Sequence, residues 1–138
     1  MDAELIIAAA RSAIGTPFVH QGRVSGVGLD CVGLGAHIAN TLGIAYVEQT
    51  GYSRRPSDGQ LETNLSLQPH LRQVSDMNPG DFLVLRFFKS PQHFAVFTGD
   101  TIIHAWETVG KVCEHRIDEA WRKRVVRIYR LVDAECKQ

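Results

Sequence analysis

His93-Phe94-Ala95-Val96-Phe97-Thr98-Gly99-Asp100-Thr101-Ile102-Ile103-His104-Ala105-Trp106 reads as two β-strands joined by a two-residue turn. Aromatic and β-branched residues fill both flanks, and Gly99-Asp100 supplies the turn. With that turn, Thr98 faces Thr101, Ala95 faces His104 and His93 faces Trp106. Successive side chains of a strand point to opposite faces, so His93, Ala95 and Phe97 share one face. His104, opposite Ala95, joins them. His93 and His104 are then diagonal neighbours, about 7–8 Å apart at the backbone and within reach of each other.

The strand pattern continues on both sides of this hairpin. Met77 to Asp81 is a turn, and Phe82 to Phe88 is an apolar run suited to a buried strand. Lys89-Ser90-Pro91 reads as a loop before the strand over 92–98. Val109-Gly110 turns into a strand over 111–117, Asp118 to Arg122 is a helical turn, and Val125 to Val132 is a final strand. The N-terminal half has another character. A helix over 2–13 is capped by Asp2 and stopped by Gly15-Thr16-Pro17. A Gly-rich loop follows, up to Gly28. Asp30 then caps a helix from Cys31 to Leu42, which Gly43 ends. Residues 44–52 show no clear period, and Arg54-Arg55-Pro56-Ser57 reads as a solvated loop. Asp58 to Leu67 suits a short helix, and Leu71 to Ser75 suits a helix or a strand. Helices first and an antiparallel meander second make the fold class α+β, with helices packed on one face of the sheet.

Cys31 is the first residue of its helix. A thiol there sits among unsatisfied N–H groups at the positive end of the helix dipole, which favours thiolate. A nucleophile at Cys31, a base at His93 and an orienting group at His104 compose a thiol-catalysis pattern. Two other readings remain open on residues alone. Lone cysteines are mostly inert core residues, and strand histidines mostly make local hydrogen bonds. A zinc site of Cys31, His93 and His104 would lack the compact ligand pair usual for zinc, so no metal is expected. Cys113 and His115 share a strand face. Cys113 reads as a packed strand residue, and His70 and His115 read as surface residues.

At 138 residues the chain is expected to form a single domain over 1–138 with a real core. Fifteen basic residues balance fifteen acidic ones, which gives no electrostatic case for nucleic acid or an anionic membrane surface as a partner. The three cysteines are an odd number without CxxC spacing, which argues against a disulfide framework. Asp2 and Glu4 stand where a signal peptide would be basic, and no apolar stretch approaches a membrane span. Synthesis in the cytoplasm without a signal peptide is the expectation. Nothing in the sequence calls for a cofactor.

Asp30-Cys31-Val32-Gly33-Leu34, Pro79-Gly80-Asp81-Phe82, His93-Phe94-Ala95-Val96-Phe97 and Ile103-His104-Ala105 follow one another in this order. Together these four segments resemble the NlpC family of papain-like cell-wall cysteine peptidases. Ala10-Arg11 and Ile14 to Phe18, with His20-Gln21, look most like the phage, prophage and gene-transfer-agent branch. The resemblance implies a circularly permuted papain-like fold. It implies hydrolysis of a peptidoglycan stem peptide, typically between D-γ-glutamate and a diamino acid. Cys31 is then nucleophile, His93 base and His104 the third polar residue. The candidate substrate-binding residues are Phe18, His20 and Asp30. Val32 stands where the family usually has Ser, and Phe18 where it usually has Tyr; His20 is a candidate to replace the missing hydroxyl. Delivery as a phage-type tail component, carried in a virion or tail-like particle with tail proteins as partners, is the expectation for such a bare domain. A structural tail subunit of the same fold with little turnover is the alternative, and amidase or thioesterase action on another substrate would use the same triad.

Overall fold

The computed structural model describes residues 1–49, 51–52, 60–87 and 90–132. Arg54, Arg55 and Cys136 lie outside the described residues.

Helix α1 spans Ala3–Arg11, with Asp2 Oδ1 accepting the Glu4 N–H at 2.9 Å. It ends two residues before the expected Ala13, in turns through Gly15. The Gly-rich loop is more ordered than its composition suggests. Strands β1 (Arg23–Val24) and β2 (Gly28–Leu29) pair antiparallel within it. Helix α2 spans Cys31–Leu42. Its N-cap is Asp30, and Gly43 adopts a left-handed φ of 70° at its end, the conformation glycine takes without a Cβ clash. Helix α3 spans Gln60–Ser66, and the ambiguous segment after it is strand β3, Leu71–Val74.

The remaining strands are β4 (Phe82–Phe87), β5 (Ser90–Phe97), β6 (Thr101–Trp106), β7 (Lys111–Arg116) and β8 (Val125–Leu131), with the short helix α4 (Glu119–Arg122) before the last. They form one six-stranded sheet in the order β3-β8-β4-β5-β6-β7, with every neighbouring pair antiparallel. Ser90 and Pro91, expected in a loop, belong to β5 and pair with Phe87 and Arg86. Proline lacks the N–H a ladder needs. It is accommodated because the β4–β5 register shifts between Leu85 and Arg86.

Both faces of the sheet are covered. Phe82, Val84, Phe94, Val96, Ile103, Ala105 and Tyr129 pack with α1, α2 and α3 into the main core. Leu83, Leu85, Ala95, Phe97, Ile102 and Ile117 form a second cluster on the other face, with Trp121 of α4 against it. The turn before β4 is tied down by charge. Asp81 is 1% exposed and takes both Nε and Nη2 of Arg130 at 2.8 Å, a bidentate pair.

Two contacts place the start of α2. The loop carrying Pro17 and Phe18 is strung between β2 and β7: Leu29 N–H donates to Pro17 O at 3.0 Å and Phe18 N–H to Gly110 O at 2.8 Å. The first turn of α2 then lies against the backbone at Gly22, where a Cβ on Gly33 would overlap the Gly22 carbonyl oxygen. Neither backbone can yield without moving Asp30 or Cys31. Gly33→Ala is therefore expected to lower unfolding free energy by about 1–3 kcal/mol, as overpacking does. Urea melts of the two proteins would check this.

Candidate active site

The hairpin predicted over 93–106 forms with the expected register: Val96 pairs Ile103 and Phe97 pairs Ile102 around Gly99-Asp100. These are the described β5–β6 pairs; toward His93 the strands part. Helix α2 meets that gap. Backbone N–H groups of Phe94, Val32 and Cys31 itself are close enough to the Cys31 sulfur to favour its ionised form. The sulfur thus adjoins the backbone of the residue that follows His93.

His93 and His104 meet as the diagonal rule requires. His93 Nε2 lies 2.6 Å from His104 Nδ1, with both side chains buried. The ring nitrogen of His93 that could serve the thiol is therefore Nδ1. A third imidazole continues the row. His104 Nε2 lies 2.8 Å from His115 Nε2, and His115 Nδ1 lies 2.9 Å from Arg116 O. His115 was expected at the surface; it is half-buried and bonded to the candidate triad. Two indoles wall this row. Trp106 stacks on His104 with centroids 5.3 Å apart, and Trp121 meets the His104 ring edge-on at 5.5 Å.

Asp30 lies at the other side of the thiol, buried and 4% exposed. Its Oδ1 accepts the Gly33 N–H at 2.8 Å, the cap bond, and Arg23 Nη1 at 3.2 Å. Its Oδ2 accepts the Gln21 N–H at 2.7 Å and the Tyr52 hydroxyl at 2.5 Å. All four donors come from the protein itself. Phe18 is half-buried and packs against the main core. His20 is half-buried, edge-on to Tyr52 with centroids 5.5 Å apart, and its Nδ1 is buried with no hydrogen-bond partner among the described residues. Tyr52 and Arg23 were missed by the sequence reading. Arg23 reaches Asp30 from seven positions upstream while its Nε holds Glu48 at 2.9 Å, a link no local pattern announces.

The NlpC/P60 family model matches residues 15–130, which contain every site residue named above. The chain belongs to the NlpC/P60 family. Solved structures agree on the fold. An NlpC/P60 family protein from Bacillus cereus superposes with a TM-score of 0.69 at 21% identity, over 96% of this chain and 41% of that one. The NlpC/p60 domain of the peptidoglycan hydrolase SagA gives 0.65 at 20%, over 96% of this chain and all of that one. The peptidoglycan hydrolase RipB from Mycobacterium tuberculosis gives 0.64 at 20%, over 95% of this chain and 65% of that one. This chain thus spans about two fifths of the Bacillus protein and the whole of the SagA domain. No curated protein sequence matches it.

Within this NlpC/P60 fold, burial sets the protonation states. The helix N-terminus was expected to favour thiolate. Instead, burial and then the adjacent Asp30 carboxylate push the Cys31 thiol up to about 12, against the three N–H groups. The reason is tertiary: β5 closes over the helix start, and the cap that holds the helix is itself an anion. Burial lowers His93 to about 3, and burial, then the neighbouring His93 and His115, lowers His104 to about 2. The resting pair is a thiol and a neutral imidazole. Among the described residues no group of His, Cys, Asp and Glu is arranged to hold a metal ion, and no helix is long and apolar enough to cross a membrane. A cavity of about 60 Å³ lies behind α2, lined by Ala36, Ala39, Leu61, Leu65 and Phe82 among others, and it does not include the thiol.

Folding stability inherits this burial. Unfolded histidines titrate near ~6.5, whereas His93 and His104 do so far lower in the fold. Between those values the unfolded chain binds the protons. The two rings' contribution to stability is therefore present above about pH 6.5 and is lost as pH falls toward about 3. Each ring contributes up to about 1.4 kcal/mol per pH unit over that window. Urea melts at pH 7 and pH 5 should differ accordingly; equal midpoints would mean that the rings accept protons inside the fold.

Proposed function

We propose that this chain is a thiol hydrolase of peptidoglycan stem peptides, cleaving between D-γ-glutamate and a diamino acid. The observation that carries the chemistry is the buried Cys31 thiol at the start of α2, beside the Phe94 backbone and so one residue from a histidine whose Nε2 lies 2.6 Å from a second histidine. SagA and RipB, which share this fold, are peptidoglycan hydrolases, and that supports the substrate class.

In this reading His93 Nδ1 removes the thiol proton as sulfur attacks the scissile carbonyl, so no free thiolate need accumulate. The carbonyl oxygen gains the negative charge. Gly33's N–H is committed to Asp30, so the helix-start donors that can turn from the sulfur to this oxygen are those of Cys31 and Val32. Val32 retains this backbone donor although it lacks a hydroxyl. The amine leaves with the proton from His93, giving a thioester on Cys31. Water, deprotonated by His93, then releases the peptide acid and restores the thiol.

Substrate contacts divide between Phe18 and His20. The buried Nδ1 of His20, without a partner among the described residues, supports it as the polar contact that Phe18 cannot supply. Asp30 acts one step back, by fixing the wall of Gln21, Arg23 and Tyr52. Delivery as a phage-type tail component rests on the wording of residues 10–21 alone, and co-purification with tail particles would test it.

Digestion of purified stem peptides, followed by mass spectrometry, tests the hydrolase reading. Cys31→Ala and His93→Ala are expected to lose detectable cleavage. His104→Ala should lose roughly 10²-fold, the lower end of what a positioned base supplies, because the base remains but its orientation does not. Cleavage that survives Cys31→Ala would remove the nucleophile assignment. No cleavage by the parent protein would favour a structural subunit that keeps the fold.

A further inference from the structure

The row of histidines ends on a backbone carbonyl, and that end determines the other. A carbonyl oxygen only accepts, so the 2.9 Å contact from His115 Nδ1 to Arg116 O places the proton of His115 on Nδ1. A neutral imidazole carries one N–H. His115 Nε2 is then an acceptor, and its 2.8 Å contact with His104 Nε2 requires His104 to donate. His104 Nδ1 is in turn an acceptor, and the 2.6 Å contact with His93 Nε2 requires His93 to donate. The lone pair of His93 is left on Nδ1, the nitrogen needed to take the Cys31 proton. Among three neutral rings this is the one assignment that makes all three contacts hydrogen bonds.

We propose that His115 is a positioning residue: anchored on the Arg116 carbonyl, it sets the tautomer of His104 and through it the tautomer of the base His93. The inference rests on the hydrolase reading for the role of His93, but the tautomers themselves do not depend on it. His104 alone cannot choose. Either of its nitrogens can carry the proton, and with the proton on Nδ1 it would force His93 to accept at Nε2 and carry its own proton toward the thiol. His104 is fully buried and flanked by Trp106 and Trp121, so solvent has little access to make that choice. His115 supplies the asymmetry. Its ring meets Trp121 with centroids 4.8 Å apart, which holds it in the row.

Long-range 1H–15N correlation spectra of the histidine side chains at pH 8, in the substrate-free protein, read each protonated nitrogen directly. The expected result is Nε2–H on His93, Nε2–H on His104 and Nδ1–H on His115. His104 protonated on Nδ1 would overturn the proposal. His115→Phe removes the acceptor and should redistribute the His104 and His93 tautomers. It should also lower kcat about tenfold or more, short of the roughly 10²–10⁴-fold that a positioned base supplies in full, with KM unchanged. His115→Gln offers an amide oxygen to the His104 N–H and should regain most of the rate and the original tautomers. Unchanged tautomers and kcat in His115→Phe would overturn the proposal, as would equal losses in the Phe and Gln variants with both folded. Should His115→Phe fail to fold, the parent spectrum and the Gln variant decide the matter. A protein with the expected tautomers that cleaves no stem peptide would fail the hydrolase reading and not this one.

Discussion

The carboxylate of Asp30 is the joint on which the site depends. It caps α2 at Gly33, and with the same two oxygens it holds Gln21, Arg23 and Tyr52. The helix start, the Gly-rich loop and the segment after α2 are thereby fixed to one buried group. A buried anion of this kind is tolerable only because every lone-pair direction finds a donor. Burial first, and then this carboxylate, keep Cys31 from being an easily ionised thiol. The group that orders the helix opposes the charge that the helix end would otherwise favour. Proton transfer to a neutral neighbour, and not a standing thiolate, is the chemistry this arrangement suits.

The sheet contributes by coming apart at one place. β5 and β6 pair at Val96–Ile103 and Phe97–Ile102 and then separate toward His93. In the gap the Phe94 backbone adjoins the Cys31 sulfur, while on its other edge Phe94 pairs Val84 of β4. The helix approaches from the main core, whereas the histidine rings lie with Ala95 and Ile102, on the side of the second cluster. The opening between the strands lets groups from opposite sides of the sheet be neighbours. Trp106 and Trp121 then shield the imidazoles, and both rings that form the candidate catalytic row stay neutral.

Much of this was legible in residue order. The two-residue turn Gly99-Asp100 sufficed to bring His93 and His104 together, because register and strand alternation are local consequences of the turn. The Asp30 cap and the Gly43 stop followed from side-chain chemistry within one turn of helix. What escaped was non-local. The opposition of burial and dipole at Cys31 depends on β5 closing over the helix, and Arg23 and Tyr52 reach Asp30 through loops without a period. Ser90 and Pro91 looked like a loop because proline disfavours a ladder, and a register shift reconciled them with the strand. His115 was within reach. His104 pairs Cys113 and Ile102 pairs His115, so the diagonal argument applies again, but it needed the length of the turn after Trp106.

That repeated diagonal has an implication for how such a chain can vary. His93, His104 and His115 follow one another at intervals of eleven residues, each interval spanning one hairpin. A one-residue change in the 98–101 or 107–110 turn that carried the strand register with it would turn the next histidine to the other face and part the rings. Loop length is ordinarily the most permissive feature of a protein. Here, two surface turns are measured out by the row of imidazoles between them, so the spacing of the turns is as much a part of the site as the histidines.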